Sequence, residues 1–263
     1  MDFMFFLRGT ANMHYLRSLL LSMLICSSTA GQQGKLGTCV QTYTHGMWVS
    51  ITSADLRKHW AITGAGILGA LCVDRRMKQL AIERGFMSES LARFGYEWGG
   101  KWAAIGILPG IFLTETLKGS TSETKLQRLG FAFTSLAMVG VTTEFMKYTL
   151  RRSRPNKEVL PFPYGYAFPS GHASAAFGVA EVVRILYGNH CGGLLYGFAI
   201  ITGLSRIHDN RHWLSDIIGG AGLGIGLVRG FHLAQKPRNE KSSVSLRIGP
   251  GVIQLRFIPG RKT

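Results

Sequence analysis

The chain contains the stretch SRIHDNRHWLSD at residues 205–216. His212 and Asp216 are four residues apart, which places two side chains on one face wherever the segment is helical. A carboxylate in that position accepts a hydrogen bond from one imidazole nitrogen and leaves the lone pair of the other available. Arg206 adds a permanent positive charge upstream. The stretch is typical of a histidine nucleophile acting on an anion, although such a pair by itself is more often an ordinary surface or core pair.

Two segments upstream strengthen the functional interpretation. The first is KYTLRRSRP at residues 147–155, in which Lys147 and Arg154 are two helical turns apart and can share a face until Pro155 ends the helix. By itself this segment is typical of a solvated basic helix end. The second is PSGH at residues 169–172, which is also an ordinary way to start a helix.

In the PSGH segment, Ser170 is a good N-cap and Gly171 lets the backbone approach a ligand closely. The first amides of the following helix then form an anion site, and His172 can face the same anion. We therefore expect the three segments to converge on one phosphate.

The order KxxxxxxRP, PSGH and SRxxxxxHxxxD resembles the signature of the type 2 phosphatidic acid phosphatase and vanadium haloperoxidase superfamily. The resemblance covers Lys147 to Asp216, about a quarter of the chain, and every signature position matches. It implies an all-α helical bundle of the type 2 phosphatidic acid phosphatase kind.

The resemblance also implies roles for single residues. His212 attacks phosphorus and forms a phosphohistidine, Asp216 holds its ring, and His172 protonates the leaving group and then activates water. Five residues are implied to grip the phosphate oxygens: Lys147, Arg154, Ser170, Gly171 and Arg206. The chemistry implied is independent of a metal, so no cofactor is expected, and no HExxH or EF-hand pattern is present. We expect Arg151 and Arg152 to point away from the site, and His208 and Asp209 have no assigned role.

The charge balance indicates which classes of partner to expect, and the cysteines indicate whether a metal site or a disulfide is expected. The 263 residues include 30 Lys and Arg against 14 Asp and Glu, a net charge of +16 that favours phosphates, acidic lipid surfaces or nucleic acid. The sequence has no zinc-finger spacing and no RNA-binding motif, so nucleic acid is not expected. The four cysteines lack the spacing of a metal site and assign no disulfide.

Four regions are predicted along the chain. Residues 1–30 read as a signal peptide, with a retained signal anchor as the alternative, and indicate export to the periplasm or cell envelope. Residues 31–52 are predicted as a linker and 53–235 as the helical phosphatase domain. Residues 236–263 are predicted as a basic tail with a β-hairpin that rests on the bundle, a partner or a lipid surface.

Helices are predicted across the domain, the first capped by Ser53. Gly64–Gly69 matches GxGxxG, but no βαβ unit surrounds it, so close helix packing explains it better than a nucleotide site. The glycine-rich last helix also indicates close packing. The Pro- and aromatic-rich loop 156–168 is either a stiff connector or an aromatic rim over the site. The predicted helices are 53–73, an amphipathic piece at 74–94, 98–117, 123–150, 171–187, 192–205 and 211–231.

Three apolar runs in the sequence are candidates for membrane-spanning segments. Trp102–Thr114, Leu129–Thr143 and Cys191–Leu204 are 13–15 residues long, shorter than the roughly 20 that cross a bilayer. Their length favours helices buried in a compact bundle, while attachment to a membrane, peripheral or embedded, remains open.

We therefore predict a phosphatase acting on an amphiphilic phosphate such as phosphatidic acid or a polyprenyl pyrophosphate at a membrane surface. The alternatives are a nonspecific soluble acid phosphatase, a vanadate-dependent haloperoxidase and a non-catalytic membrane-surface protein. The sequence gives no oligomeric state.

Overall fold

Helices form almost all of the described chain. The computed structural model describes residues 35–157, 165–235, 243–249 and 252–258. The all-α prediction is confirmed. The helices are α1 (Lys35–Thr52), α2 (Ala54–Glu83), α3 (Glu89–Glu97), a π-helical turn (Trp98–Trp102), α4 (Ala103–Leu117), α5 (Ser122–Leu150), α6 (Gly171–Tyr187), α7 (Asn189–His208) and α8 (Leu214–Gln235).

Side-chain caps set where several of these helices begin. The hydroxyls of Ser53, Ser88, Thr121 and Ser170 each accept a hydrogen bond from a backbone N–H in the first turn of α2, α3, α5 and α6. Each cap satisfies one of the amides that a helix start leaves without a partner. The predicted caps at Ser53 and Ser170 are confirmed.

Helix α8 lies at the centre and packs against α1, α2, α5 and α6. Its glycines permit that approach. A Cβ added to Gly220 would lie 2.6 Å from the Ser170 carbonyl oxygen, and one on Gly224 only 2.4 Å from the Ser174 carbonyl oxygen. The backbones of α6 and α8 therefore touch, as predicted from the glycine-rich sequence, and this fixes PSGH beside the start of α8.

The N-terminal part differs from the prediction. Residues 31–52 were expected to be a linker, but Lys35–Thr52 is helical and α1 packs on α8. Gly46 and Ser50 explain why, because they let Phe231 and Gly230 approach closely. Helix α2 continues ten residues beyond the predicted end at 73. Gly64–Gly69 lies inside it, as expected for packing glycines rather than a nucleotide loop.

The outer surface is more apolar than predicted. The run Trp102–Thr114 was expected to be buried, but Ile105 and Leu113 are 63% and 58% exposed, and Phe145 on α5 is 68% exposed. Helices α5 and α8 are long and apolar enough to cross a membrane, with 39% and 61% of their apolar windows buried. The length of an apolar run says nothing about which helix faces meet, so the run lengths favoured buried helices but gave no sign of these exposed apolar faces.

The backbone of the tail forms two strands, β1 (Ser243–Gly249) and β2 (Val252–Ile258), paired antiparallel with Leu246 opposite Leu255. The side chains of this tail lie outside the described part of the chain, as does the predicted contact between the hairpin and a supporting surface. The predicted signal peptide, residues 1–30, also lies outside the described residues.

Candidate active site

Six of the eight predicted site residues line one cavity of about 950 Å³. It lies between the π-helical turn, α4, α5, α6 and the α7–α8 loop. The other two, Ser170 and Asp216, are fully buried and do not line it. The lining residues among the predicted set are Lys147, Arg154, Gly171, His172, Arg206 and His212.

Backbone hydrogen bonds hold the three motifs together. The Ala167 N–H donates to the Arg152 carbonyl (2.8 Å), and the Ser170 N–H donates to the Asp216 carbonyl (3.0 Å). Segments far apart in sequence are thus joined without relying on the catalytic side chains. The site is held by buried backbone groups, which need these partners in any case.

The loop between α7 and α8 presents His212. Its backbone N–H and that of Arg211 both donate to the Arg206 carbonyl, at 3.2 and 3.0 Å, and Asn210 has a positive φ of 55°. Helix α8 begins at Leu214, three residues later than predicted, so His212 lies in the loop and not in the helix. Arg206 therefore supplies a cation and also shapes the loop that carries the histidine.

His212 is held in one tautomer. Its Nδ1 lies 2.9 Å from the Ala167 carbonyl oxygen and 3.6 Å from Asp216 Oδ2. A carbonyl only accepts, so Nδ1 donates and the lone pair is on Nε2. Burial lowers the pKa of His212 well below its ordinary value, and the neighbouring cations lower it further. The ring is neutral near pH 7, the form that a nucleophile needs.

Asp216 is not the main partner of His212. We predicted that Asp216 holds the imidazole, but the carbonyl of Ala167 is the closer acceptor. The Asp216 carboxylate instead accepts from the Trp213 N–H (2.8 Å) and from Arg152 Nη1 (2.6 Å). The prediction that Arg152 points away is wrong, because its guanidinium is held between the buried carboxylates of Asp74 and Asp216.

Three cations line one side of the cavity. Lys147 and Arg206 pair with carboxylates that also line it: Lys147 Nζ lies 2.8 Å from Glu144 Oε1, and Arg206 bonds Asp209. Arg154 Nη1 donates to the Arg211 carbonyl (3.2 Å). Helix α5 ends at Leu150, the end predicted for it, so Arg154 reaches the site from the following loop and does not share a helical face with Lys147 as expected. The paired carboxylates offset part of the positive charge of this cage (Lys147, Arg154 and Arg206).

The N-terminus of α6 lies beside the cage. Ser170 caps the helix at the Ala173 N–H, and a Cβ on Gly171 would lie 3.2 Å from Lys147 Nζ. Any other residue at Gly171 would crowd the lysine. The positive end of the helix dipole therefore lies beside the cations, an arrangement suited to an anion.

His172 is held by residues that the sequence did not indicate. Its ring stacks on Tyr96, with centroids 5.2 Å apart, and the Arg206 guanidinium lies 4.6 Å from the centroid of the same tyrosine. Burial, with the positive charge of Arg206 next, lowers the pKa of His172 to about 3. Within the described chain its buried Nε2 has no hydrogen-bond partner. His172 is therefore a neutral imidazole with a nitrogen available to a substrate.

The π-helical turn makes room for His172. A Cβ on Gly99 would lie 2.3 Å from Thr202 Cγ2, and one on Gly100 would lie 2.9 Å from His172 Nε2. Wider turns of this kind are frequent at functional sites. The adjacent glycines in a helical segment were the available sequence signal for this contact.

Gly100→Ala should lower kcat about tenfold, because the imidazole must move by several tenths of an ångström to clear the new methyl group. Gly106→Ala in α4 is the control, since a Cβ there meets nothing within 4 Å. It should stabilise the protein by up to about 1 kcal/mol and keep kcat. Steady-state kinetics gives kcat and thermal unfolding gives the stability of each variant. Equal kcat values for Gly100→Ala and Gly106→Ala would contradict this role of Gly100.

Comparisons with known proteins match the part of the chain that contains the three motifs. Residues 128–240 match the model of the PAP2 superfamily. A lipid A 1-phosphatase from Porphyromonas gingivalis is 36% identical over 93 residues, 34% of this chain and 20% of that protein. Phosphatidylglycerophosphatase B from Bacillus subtilis is 30% identical over 99 residues, 33% of this chain and 49% of that protein. The chain thus spans from a fifth to about half of the length of these relatives.

Two crystal structures are also similar. Aquifex aeolicus LpxE aligns with a TM-score of 0.46 and 20% identity, over 63% of this chain and 96% of that one. A transmembrane PAP2 type phosphatidylglycerolphosphate phosphatase from Bacillus subtilis aligns with a TM-score of 0.45 and 17% identity, over 76% and 98%.

The matched region contains all three motifs that carried the sequence resemblance, and the two curated relatives are both phosphatases. The resemblance is confirmed for residues 128–240, which match the model of the PAP2 superfamily.

Proposed function

We propose that the protein is a lipid phosphatase that hydrolyses a phosphate monoester or pyrophosphate through a phosphohistidine on His212. The observation that carries the proposal is one cavity that holds both the cation cage and a long apolar wall. The wall follows α5 from Lys147 to Phe133, about 20 Å at 1.5 Å per residue. Ile107 and Leu108 of α4 line the same cavity. A headgroup phosphate at the cage and an apolar tail along α5 would occupy it together.

The first chemical step follows from the two histidines. The lone pair on His212 Nε2 attacks phosphorus, a P–N bond forms, and the P–O bond to the leaving group breaks. The cage cations stabilise the charge on the equatorial oxygens. His172 gives a proton to the leaving oxygen, which requires an imidazolium. Burial is the main cause of the low pKa of His172, and the neighbouring positive charges lower it further. A bound phosphate dianion offsets those charges, so substrate binding raises the pKa of His172 towards the protonated form that the acid needs.

The second step regenerates the enzyme. His172, now neutral, takes a proton from water, the water oxygen bonds to phosphorus, and the P–N bond to His212 breaks. Inorganic phosphate leaves and His212 is neutral again. We propose that no resident metal takes part, because fixed cations and the α6 amides supply the positive charge that the transferring group needs. Phosphate release that persists after chelation would support this, and release that depends on added metal would oppose it.

Several features support action at a membrane. Apolar side chains are exposed on the outer faces of α4 and α5, among them Ile105, Leu113 and Phe145. Helices α5 and α8 are long enough to span a bilayer. The exposed apolar surface disfavours the soluble acid phosphatase as an alternative. We propose an embedded protein of the cell envelope; resistance of the membrane-bound protein to carbonate extraction tests the embedding.

Gly140→Leu tests the lipid assignment. Gly140 lines the cavity and a Cβ there meets nothing within 4 Å, so leucine would fill part of the apolar wall. We expect KM for long-chain phosphatidic acid to rise about tenfold, the effect of a lost apolar contact, while kcat/KM for p-nitrophenyl phosphate stays within about twofold.

Gly130→Leu is the matched control, because Gly130 is on the same helix, also has open space at Cβ and does not line the cavity. It should leave both substrates unaffected. Equal losses on both substrates in Gly140→Leu would count against a tail-binding wall. Bromide oxidation on addition of vanadate, with no phosphate release, would favour the haloperoxidase instead.

A further inference from the structure

Asp74 is a buried carboxylate outside the three motifs and outside the family-matched region. It lies in α2, is 4% exposed, and has hydrogen-bond donors around both of its oxygens. Oδ1 accepts from the Ser215 N–H (3.0 Å), and Oδ2 accepts from Ser215 Oγ (2.5 Å) and Arg152 Nη2 (2.8 Å). A carboxylate buried in a helix bundle needs such partners. Here Ser215 belongs to the segment 205–216 and Arg152 to the segment 147–155, so both partners lie within the sequence motifs.

Arg152 joins Asp74 to Asp216. One of its terminal nitrogens bonds Asp74, and the other, Nη1, donates to Asp216 Oδ1 and to Ser215 Oγ, both at 2.6 Å. The guanidinium also lies over the ring of Trp213, with Cζ 5.6 Å from its centroid. A planar guanidinium with fixed donor directions is suited to hold two carboxylates in one geometry.

Both acceptors that face His212 Nδ1 depend on Arg152. Asp216 Oδ2 lies 3.6 Å from Nδ1, and Asp216 is held by the guanidinium. The Ala167 carbonyl lies 2.9 Å from Nδ1, and the Ala167 N–H is held by the Arg152 carbonyl at 2.8 Å. The guanidinium of Arg152 thus holds Asp216, and its backbone carbonyl holds Ala167, so a change at the Arg152 side chain acts on the imidazole ring through Asp216.

We propose that Asp74 is a positioning residue for catalysis: by fixing Arg152 and Ser215 it keeps the His212 ring aimed for attack. We call Asp74, Arg152 and Ser215 the arginine clamp. The clamp acts through residues that contact His212 and does not contact the substrate. This inference rests on the proposed role of His212 as nucleophile. By this inference, helix α2, which contains none of the three motifs, influences the rate of the reaction.

Asp74→Asn tests the clamp, because it keeps the shape but removes the charge that holds Arg152. We expect kcat for p-nitrophenyl phosphate to fall about 10- to 100-fold, the usual effect of disturbing the support of a catalytic group, with KM within about twofold. A purely structural carboxylate would change the unfolding temperature and leave kcat of the folded protein unchanged.

Glu181→Gln is the matched control. Glu181 is fully buried in α6, pairs with Arg184 and Arg229, and does not line the cavity. Its loss should lower the unfolding temperature and leave kcat of the folded protein unchanged. Equal kcat values in Asp74→Asn and Glu181→Gln would overturn the proposal. If Asp74→Asn fails to fold, Arg152→Lys removes the bridge and keeps the charge, and the same fall in kcat is expected.

A double-mutant cycle with Asp216→Asn identifies the route of the effect. If Asp74 acts through Asp216, adding Asp74→Asn to Asp216→Asn should lower kcat by no more than about twofold further. Full additivity would overturn the proposed route. Activity remaining in His212→Ala would remove the proposed function itself, whereas an inactive His212→Ala with a fully active Asp74→Asn would remove only the clamp.

Discussion

His212→Ala should lower kcat for p-nitrophenyl phosphate by about 10³-fold or more, because removing the nucleophile of a two-step mechanism eliminates the covalent route. The cation cage would remain and would still bind phosphate, so the inhibition constant of inorganic phosphate should change far less than kcat. Initial rates and product inhibition measure the two effects on one protein preparation. Trapping of a phosphorylated histidine by rapid acid quench should succeed with the native chain and fail with this variant.

His208→Ala is the matched control for this experiment. His208 is four residues upstream, does not line the cavity, and its Nδ1 accepts from the Phe86 N–H at 3.3 Å. That bond ties the α2–α3 turn to the end of α7, so its loss should affect stability slightly and kcat by no more than about twofold. Comparable loss of activity in the two histidine variants would point to unfolding, and an active His212→Ala would refute the mechanism.

Local chemistry predicted much of this site. Ser170, Gly171 and His172 follow one another, so one cap and one helix start place all three, and a short segment contains the needed information. Lys147, Arg206 and His212 were identified through the resemblance of the three ordered motifs to a family signature, because their charges and spacing alone are more typical of an ordinary surface or core pair and a solvated helix end. The caps at Ser53 and Ser170 were predictable because the first turn of a helix has the same unsatisfied amides in every protein.

The support of the site was not predictable because it depends on contacts between distant segments. Asp74 bonds Ser215 across 141 residues, and neither residue belongs to a recognisable pattern with the other. The acceptor for His212 is the backbone carbonyl of Ala167, a group that every residue has and that leaves no mark in the sequence. Arg152 was interpreted as a solvated charge because its neighbours in sequence give no sign of the two buried carboxylates that contact it.

Arg206→Ala should lower kcat/KM for p-nitrophenyl phosphate by about 10²- to 10³-fold, the usual effect of removing one fixed donor to a developing oxyanion. Arg206 is 4% exposed, so no water readily replaces it, and its guanidinium also lies on the tyrosine that stacks on His172. Arg206→Lys should recover only part of the loss, because an ammonium keeps the charge but not the planar fork. Inhibition by orthovanadate, a phosphate mimic, should weaken in parallel.

The control is Arg151→Gly, a neighbouring cation of the first motif. Arg151 is exposed, its Nε donates to the Tyr148 carbonyl, and its φ of 47° is a conformation that glycine adopts without strain. The variant should keep kcat/KM within about twofold and fold at least as well as the native chain. Similar losses in Arg151→Gly and Arg206→Ala would mean that the overall positive charge attracts the substrate, and the assignment of a specific phosphate cage would then be wrong. Repeating both measurements at high salt separates these explanations, since long-range attraction is screened and a buried contact is not.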